Sequence, residues 1–316
     1  MKRAFLYPGQ GAQYPGMGKD LYDESREVRD LFSVATDVAG FDVAQLVFDG
    51  SEEELKATDK TQIAITVVNI AASRLLHARG INSDGAAGFS LGEYAALVDA
   101  AVLTVEDALF AVRERGILME TASRNLDSED GSPGMVAAIG KDYPEIVETL
   151  EAIDLDHAYP AIYNSPVQTV IGGDAAAIAA LPQALKEHGV KRVIPLKVSG
   201  PFHTPLMEEA RRELGNVFER ISFQEPKKAV YTNVTGGRIT SGEQARRFCL
   251  DQLVSTVMWT RVEESLLSEG YDELIEVGPG TVLAGLWKSF AKSAGFEELT
   301  VRPGGTVETI MSVKGE

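Results

Sequence analysis

The chain has 316 residues, 44% of them hydrophobic and 24% charged, a composition typical of a globular protein with a sizeable core. Its 47 acidic and 30 basic residues give a formal net charge of -17, which disfavours nucleic acid and anionic membrane surfaces as partners. Cys249 is the only cysteine, which excludes a disulfide framework or a thiolate metal cluster within one chain and favours a reducing, cytoplasmic location.

Short apolar runs alternate with helical patterns along the chain, which predicts an α/β fold with a mainly parallel sheet. Buried strands are predicted at 2–7, 85–89, 193–198, 229–232 and 273–277. Helices are predicted at 62–76, 104–121 and 205–218. The first apolar run ends at Pro8, too early for a secretory signal, and no run approaches the roughly 18 residues of a membrane span.

A polar, turn-rich segment at 123–134 interrupts this alternation and predicts a linker or mobile loop. It is followed by a predicted β-α-β-α-β series at 135–139, 143–152, 168–171, 175–188 and 193–198. We therefore expect a small α+β subdomain at 128–197, inserted into a large subdomain formed by 1–127 and 198–316.

Ser90 is the candidate nucleophile. It lies in Gly88-Phe89-Ser90-Leu91-Gly92, between a predicted strand and a predicted helix, which is the context of a nucleophile elbow. The helix start behind the serine offers free N–H groups and a partial positive charge to an oxyanion. The alternative is a glycine-rich turn with an incidental serine.

A serine hydroxyl needs a base, and the chain has four histidines. His77 and His188 end helical stretches and are predicted to be structural, whereas His157 lies in an acidic loop. His203 precedes a Thr-Pro pair typical of a helix start, and a helix N-terminus favours the neutral imidazole that a general base requires. The alternative is a loop histidine without a role.

Arg115 is a candidate anion-binding residue. It lies within the apolar face of the helix predicted at 104–121, and no acidic residue stands three or four positions away. A substrate carboxylate would supply the anion that such a cation requires. Arg113 meets the same criterion, and a distant Asp or Glu would serve either arginine equally well.

The glycine-rich loop after the first strand departs from the dinucleotide pattern G-x-G-x-x-G, because Tyr14 occupies the third glycine position. No dinucleotide site is therefore predicted. The backbone N–H groups of such a loop are nevertheless suited to an oxyanion.

Several segments occur in an order typical of one enzyme family. They are Tyr7-Pro-Gly-Gln-Gly-Ala-Gln13, Thr61-Gln62, Gly88-Phe-Ser-Leu-Gly-Glu-Tyr94, Arg115-Gly-Ile-Leu-Met119, Asn164-Ser-Pro166, Ser199-Gly-Pro-Phe-His203, Tyr231-Thr-Asn-Val-Thr235, Met258-Trp-Thr260 and Glu276-Val-Gly-Pro-Gly280. Together they resemble the malonyl-CoA:acyl carrier protein transacylases and the acyltransferase domains of fatty acid and polyketide synthases. The resemblance implies a large α/β-hydrolase-like subdomain with a parallel sheet and an inserted, ferredoxin-like small subdomain.

The resemblance also implies catalytic roles. Ser90 would be the nucleophile and His203 its base, while the backbone N–H groups of Gln10 and Leu91 would form the oxyanion hole. In this family a main-chain carbonyl orients the histidine, and its counterpart here would belong to Met258. No metal or redox cofactor is expected, and malonyl-CoA enters as a substrate.

Substrate-binding roles follow from the same resemblance. Arg115, rather than the other candidate arginine, would bind the malonyl carboxylate, with Gln62 and Asn164 lining the site. Phe202 would leave little space for a methyl group at C2 and so favour malonyl over methylmalonyl. Family members most often carry a histidine where this chain has Phe89, and we expect the chemistry to survive with altered packing around the elbow.

The activity implied is ping-pong transfer of malonyl from malonyl-CoA to the phosphopantetheine thiol of acyl carrier protein, for fatty acid or polyketide biosynthesis. A serine thioesterase or hydrolase is the first alternative, disfavoured because no histidine follows residue 203 and no acid stands out to orient it. A non-catalytic module that binds carrier protein is the second, disfavoured by the intact candidate residues.

Charge sets a condition on carrier binding. Acyl carrier proteins are typically acidic, and so is this chain, so docking requires a local basic patch. Two candidate groups exist: Lys191, Arg192 and Lys197, or Arg211 and Arg212.

Overall fold

The computed structural model describes residues 1–129 and 131–314. Its strands are β1 (Arg3–Tyr7), β2 (Gly85–Gly88), β3 (Gly134–Ile139), β4 (Ala158–Ser165), β5 (Gln168–Gly173), β6 (Arg192–Pro195), β7 (Ala229–Tyr231), β8 (Glu273–Glu276) and β9 (Val301–Pro303). These strands form two separate sheets, one of five strands and one of four.

Helices surround both sheets. They are α1 (Lys19–Glu24), α2 (Arg26–Ala39), α3 (Val43–Asp49), α4 (Glu52–Lys56), α5 (Thr58–Ala78), α6 (Gly92–Asp99), α7 (Val105–Arg124), α8 (Tyr143–Ile153), α9 (Ala175–Glu187), α10 (Glu208–Val217), α11 (Gly242–Asp251), α12 (Trp259–Ser268), α13 (Val282–Ala294) and α14 (Val307–Ser312). Among the described residues no single helix is long and apolar enough to cross a membrane; α2 and α3, bent by 109°, meet that test only as a pair.

The five-stranded sheet has the order β7-β2-β1-β8-β9, and every neighbouring pair is parallel. Strands β1, β2 and β8 are buried along their whole length, as expected for a parallel sheet covered on both faces. The strands predicted at 2–7, 85–89, 229–232 and 273–277 are confirmed. Strand β9 was not predicted, because it is a three-residue edge strand that ends in a proline.

Helices α5 and α7 pack against each other beside this sheet. Helix α5 is buried on nearly every face, which explains why its sequence is apolar all round. Gly116 of α7 allows the close approach, since a Cβ there would lie 2.8 Å from the carbonyl oxygen of Thr58. The packing places Gln62 of α5 opposite Arg115 of α7.

The four-stranded sheet is antiparallel, in the order β4-β5-β3-β6. With α8 and α9 it makes a β-α-β-β-α-β unit, so the ferredoxin-like insertion is confirmed. The prediction of a β-α-β-α-β order was wrong, because it missed β4. That strand contains Pro160 and polar residues, which an edge strand tolerates and which hide its apolar alternation.

The segment predicted as a linker is partly helical. Helix α7 continues to Arg124, and the chain then turns through a bridge between Ser128 and Gly131, while residue 130 lies outside the described residues. The subdomain limits at 127/128 and 197/198 stay a prediction.

Candidate active site

Ser90 lies at a tight turn between β2 and α6, the strand–turn–helix context that the sequence predicts. Its φ angle is 50°, in the left-handed region that residues with a side chain rarely adopt. The flanking glycines make the turn possible. A Cβ on Gly88 would lie 2.0 Å from the carbonyl carbon of Gly92, and one on Gly92 would lie 2.0 Å from the carbonyl oxygen of Tyr7.

The structure brings His203 to the candidate nucleophile. Its Nε2 lies 2.7 Å from Ser90 Oγ, and its Nδ1 lies 2.7 Å from the carbonyl oxygen of Gln252. A carbonyl oxygen only accepts, so Nδ1 carries the proton and donates it there. In the neutral ring Nε2 then has the free lone pair, and the Ser90 hydroxyl donates to it. This is the tautomer that a general base requires.

Burial is the main reason why the pKa of His203 falls from its ordinary 6.5 to about 3, with the positive charge of Arg115 adding to it. A neutral imidazole at this position was predicted from a helix start behind it, and the structure adds burial and the charge of Arg115 as causes. The 3-10 turn Pro205–Met207 that follows His203 runs directly into α10. His203 also has a positive φ, 62°, and both members of the pair are therefore held in left-handed backbone.

The prediction that the Met258 carbonyl orients His203 is wrong. Met258 precedes the first residue of α12, and its carbonyl oxygen accepts the first helical hydrogen bonds, from the N–H groups of Arg261 and Val262. Gln252 instead follows the last residue of α11, where a carbonyl has no partner within the helix. His203 Nδ1–H donates to this free Gln252 carbonyl.

Arg115 is buried, with 1% of its surface exposed, beside the serine–histidine pair. Its Nη1 donates to Gln62 Oε1 at 2.7 Å, and its Nη2 lies 3.1 Å from Gln252 Oε1 and 3.4 Å from Ser90 Oγ. Its Nε has no partner, and within 1–129 and 131–314 no carboxylate pairs with the guanidinium. Arg113, by contrast, is partly exposed and pairs with Glu114. The structure therefore separates the two arginines that the sequence left equivalent.

Most of the candidate residues line one cavity of about 280 Å³. Those lining it are Gln10, Ser90, Arg115, Asn164, Phe202 and His203. The four-stranded sheet forms one wall, with Met135 from β3, Asn164 from β4 and Val170 from β5. Gln62 does not line the cavity; its side chain instead accepts a hydrogen bond from Arg115.

Two backbone N–H groups near Ser90 are available as hydrogen-bond donors to a ligand. Leu91 N–H, at the start of α6, and Gln10 N–H, in the loop after β1, make no hydrogen bond to any part of the chain that the structure describes. The loop is held by Asn69, whose side chain donates to the Pro8 carbonyl at 2.9 Å. Both amides are thus free to donate to a ligand atom.

Phe89 lies on the cavity wall and packs edge-on against Trp259, with ring centroids 5.3 Å apart. Trp259 in turn donates from its indole nitrogen to Glu263. The residue before the nucleophile is therefore an apolar wall residue with its own packing partner, and it makes no polar contact with the serine–histidine pair.

Sequence reasoning missed Glu93, Asn233 and Gln252, which surround the elbow. Asn233 Oδ1 accepts from Ser90 N–H, and Glu93 Oε2 accepts from Asn233 N–H and from Gln252 Nε2. A buried acid in the otherwise apolar start of α6 is the one local signal that would have singled out Glu93. Gln252 has no such signal, because its contacts depend on the tertiary fold.

Comparison with known proteins gives the family. A model described as an acyl transferase domain matches residues 4–305. The chain belongs to this family. The acyltransferase resemblance found in the sequence is thereby confirmed.

Several relatives of this acyltransferase have names or solved structures. A malonyl CoA-acyl carrier protein transacylase of Bacillus subtilis is 36% identical over 289 residues, covering 91% of this chain and 90% of that protein. An acyl carrier protein S-malonyltransferase of Vibrio cholerae superimposes with a TM-score of 0.92 at 35% identity, over 99% of this chain and 100% of the other. A malonyl-transacylase solved in complex with a type II PKS acyl-carrier protein superimposes with a TM-score of 0.91 at 35% identity, over 99% and 98%.

The buried imidazole predicts how stability depends on pH. Below about pH 6.5 the unfolded chain binds a proton on this histidine, whereas the folded chain does so only near pH 3. His203 therefore makes the free energy of unfolding fall by about 1.4 kcal/mol per pH unit as the pH drops through this window. We expect urea titrations at pH 7, 6, 5 and 4 to give a steeper loss for the wild type than for His203→Asn. The exposed control His188→Asn should keep the wild-type slope, and equal slopes for His203→Asn and wild type would contradict the assignment.

Proposed function

We propose that this acyltransferase moves a malonyl group from malonyl-CoA to the phosphopantetheine thiol of an acyl carrier protein, in fatty acid or polyketide synthesis. One observation carries the proposal: a buried guanidinium, to which no carboxylate of the described residues is paired, lies 3.4 Å from the hydroxyl of the candidate nucleophile. An acyl group on Ser90 that ends in a carboxylate brings its negative charge to Arg115. The names of the related proteins point to the same substrate.

The first half-reaction acylates the serine. His203 Nε2 takes the Ser90 proton as Oγ attacks the thioester carbonyl and forms the new C–O bond. The oxyanion is stabilised by the free N–H groups of Gln10 and Leu91. When the intermediate collapses the C–S bond breaks, and the coenzyme A sulfur leaves with the proton that His203 returns.

The second half-reaction reverses these roles. His203 takes the proton of the carrier thiol, whose sulfur attacks the malonyl-Ser90 ester at the same carbonyl carbon. The C–O bond to Ser90 breaks, and His203 returns the proton to Oγ. Because the Nδ1–H of His203 stays bonded to the Gln252 carbonyl throughout, the ring keeps one orientation in both steps.

Substrate selection rests on the other cavity residues. Gln62 holds the guanidinium in place through Arg115 Nη1, and Asn164 offers an amide on the opposite wall. Phe202, with 5% of its surface exposed, fills the space beside His203 and disfavours a methyl group at C2. Shape discrimination of this kind is worth only about 1–3 kcal/mol per methyl group, so we propose a preference for malonyl over methylmalonyl and no strict exclusion.

The carrier protein docks, in this proposal, on the basic group at β6. Lys191, Arg192 and Lys197 are exposed, and no carboxylate in the described part of the chain pairs with them. Lys197 is exposed and stands between Leu196 and Val198, which both line the cavity, so this basic group lies next to the site along the chain. The alternative cations are already paired.

Arg211 is bound to Glu208 at 3.1 Å and to Asp251 at 3.0 Å, and Arg212 to Glu213 at 3.1 Å. Their charges are thus largely compensated, which favours the β6 group as the docking patch. The proposal also includes a cytoplasmic location, which a single, buried, unbridged cysteine supports.

The acyl intermediate is the direct test of the proposed function. Incubation with malonyl-CoA alone should add one malonyl group to the intact mass of the wild type, and Ser90→Ala should add none. Addition of a phosphopantetheinylated carrier protein should then discharge the adduct onto its thiol. Rapid discharge to water, with no transfer to the carrier, would instead identify a thioesterase.

The carboxylate clamp is tested by Arg115→Ala. Removing one partner of a buried, hydrogen-bonded charge pair costs about 2–5 kcal/mol, so malonyl transfer should fall by about a hundredfold or more. Acetyl transfer, which has no carboxylate to bind, should be unchanged or faster in initial-rate assays. Arg113→Ala, the matched control two positions away, should leave both rates near wild type. An equal fall for malonyl and acetyl would refute the clamp.

The docking patch is tested by reversing the charges of Arg192 and Lys197 to Glu together. The double variant should raise the KM for carrier protein by about tenfold at low salt and leave acylation by malonyl-CoA unchanged. Arg211→Glu serves as the control from the paired group. A KM equal to wild type in the double variant would exclude the β6 patch.

A further inference from the structure

Glu93 is a buried carboxylate that the proposed mechanism does not use. It lies in the first turn of α6, three residues after the nucleophile, and does not line the cavity. Its Oε2 accepts two hydrogen bonds, from Asn233 N–H at 3.0 Å and from Gln252 Nε2 at 2.7 Å. Both donors belong to segments distant in sequence, so one carboxylate ties two loops to the elbow.

The first tie reaches the backbone of the nucleophile. Asn233, whose N–H is bonded to Glu93, accepts from Ser90 N–H through Oδ1 and donates from Nδ2 to the Gly88 carbonyl at 2.6 Å. These bonds hold both sides of a turn whose serine has a φ angle of 50°. A strained backbone of this kind persists only where the surrounding contacts fix it.

The second tie reaches the other two groups of the site. Gln252 Nε2 also donates to the Ser90 carbonyl at 3.1 Å, its Oε1 accepts from Arg115 Nη2 at 3.1 Å, and its own carbonyl accepts from His203. A single glutamine therefore touches the nucleophile, the base and the guanidinium.

The hydrogen bond to Glu93 determines the orientation of the Gln252 side-chain amide. Glu93 Oε2 accepts from the Asn233 N–H and a guanidinium only donates, so the Gln252 amide has one orientation that satisfies both. Reversing the amide would place Oε1 against Glu93 and the NH₂ group against Arg115. Glu93 thus fixes which atom of Gln252 faces the arginine.

We propose that Glu93 is a positioning residue that holds the serine, the imidazole and the guanidinium in register through Gln252 and Asn233. It touches none of the reacting atoms, so its role is exerted through those two residues. The inference deepens the proposed function and rests on it, because the guanidinium matters only for an acyl group with a carboxylate.

The electrostatics agree with this geometry. Burial raises the pKa of Glu93 to about 7, while its hydrogen bonds and the charge of Arg115 act in the opposite direction. Burial also lowers the pKa of Arg115, and the charge of Glu93 counteracts that change. The charge of each group therefore favours the ionised form of the other across the Gln252 amide.

The test is Glu93→Met, which has a similar length and removes the oxygen that both donors share. The Asn233 N–H and the Gln252 amide then both lose their acceptor, so Gln252 loses its fixed orientation. We expect the kcat of Ser90 acylation by malonyl-CoA to fall by about a hundredfold, the effect of a misplacement near 1 Å. Acylation by acetyl-CoA should fall less, because it does not use Arg115. The malonyl-to-acetyl ratio is the readout that a merely structural role would not move.

Glu263→Met is the matched control. Glu263 is also buried, and within the described part of the chain its carboxylate accepts only from the Trp259 indole, outside the contacts of Gln252 and Asn233. This variant should keep both acylation rates within about threefold of wild type, because the lost bond lies outside that network. Melting temperatures of both variants report folding.

Gln252→Met is the second variant, and it decides the matter if Glu93→Met does not fold. It keeps the main-chain acceptor for His203 and removes the amide that faces Arg115. Malonyl acylation should fall more than acetyl acylation. Glu93→Met at wild-type rates, or an unchanged malonyl-to-acetyl ratio in the folded variants, would overturn the proposal. A wild type that forms no malonyl adduct would instead refute the proposed function itself.

Discussion

A buried positive charge that contacts no carboxylate within residues 1–129 and 131–314 is the constraint around which the site is built. Arg115 is buried with amides and a hydroxyl as its partners, and these groups satisfy N–H donors without neutralising the charge. Close packing of α5 on α7, which Gly116 permits, is needed to bring Gln62 to it. Burial lowers the pKa of His203, and the charge of Arg115 lowers it further, so the imidazole is neutral beside the serine. One cation thus favours a neutral base and can also bind an anion.

The candidate serine–histidine pair depends on backbone geometry that the local sequence disfavours. Ser90 and His203 both have φ angles in the left-handed region, which costs about 1–2 kcal/mol for a residue with a side chain. Tertiary contacts hold them there: the Asn233 side chain at the serine and the Gln252 carbonyl at the histidine. The catalytic geometry is therefore a property of the assembled fold, and short segments of the chain do not contain it.

The sequence predicts those parts of the fold that have a local pattern. Strands β1, β2, β7 and β8 are apolar runs between turns, and the Ser90 elbow is a pentapeptide with glycines at fixed positions. Strands β4 and β9 are not predicted from the sequence, because edge strands that contain proline and polar residues show no apolar alternation. The acceptor for His203 was misassigned to Met258, since any residue has a carbonyl and the sequence does not reveal which one is free. Spacing alone did not separate Arg113 from Arg115, and burial in the fold does.

The two sheets divide the cavity between them. The serine lies in the turn after β2 and the arginine on α7, both next to the five-stranded sheet, and the histidine lies on the connection that returns to it, whereas β3, β4 and β5 contribute only the facing wall. Replacement of a wall residue such as Asn164 or Val170 therefore changes the room left for the acyl group and leaves the serine, histidine and arginine where they are. Changes of that wall can in this way alter the size of the acyl group accepted, independently of the arginine that faces its charge.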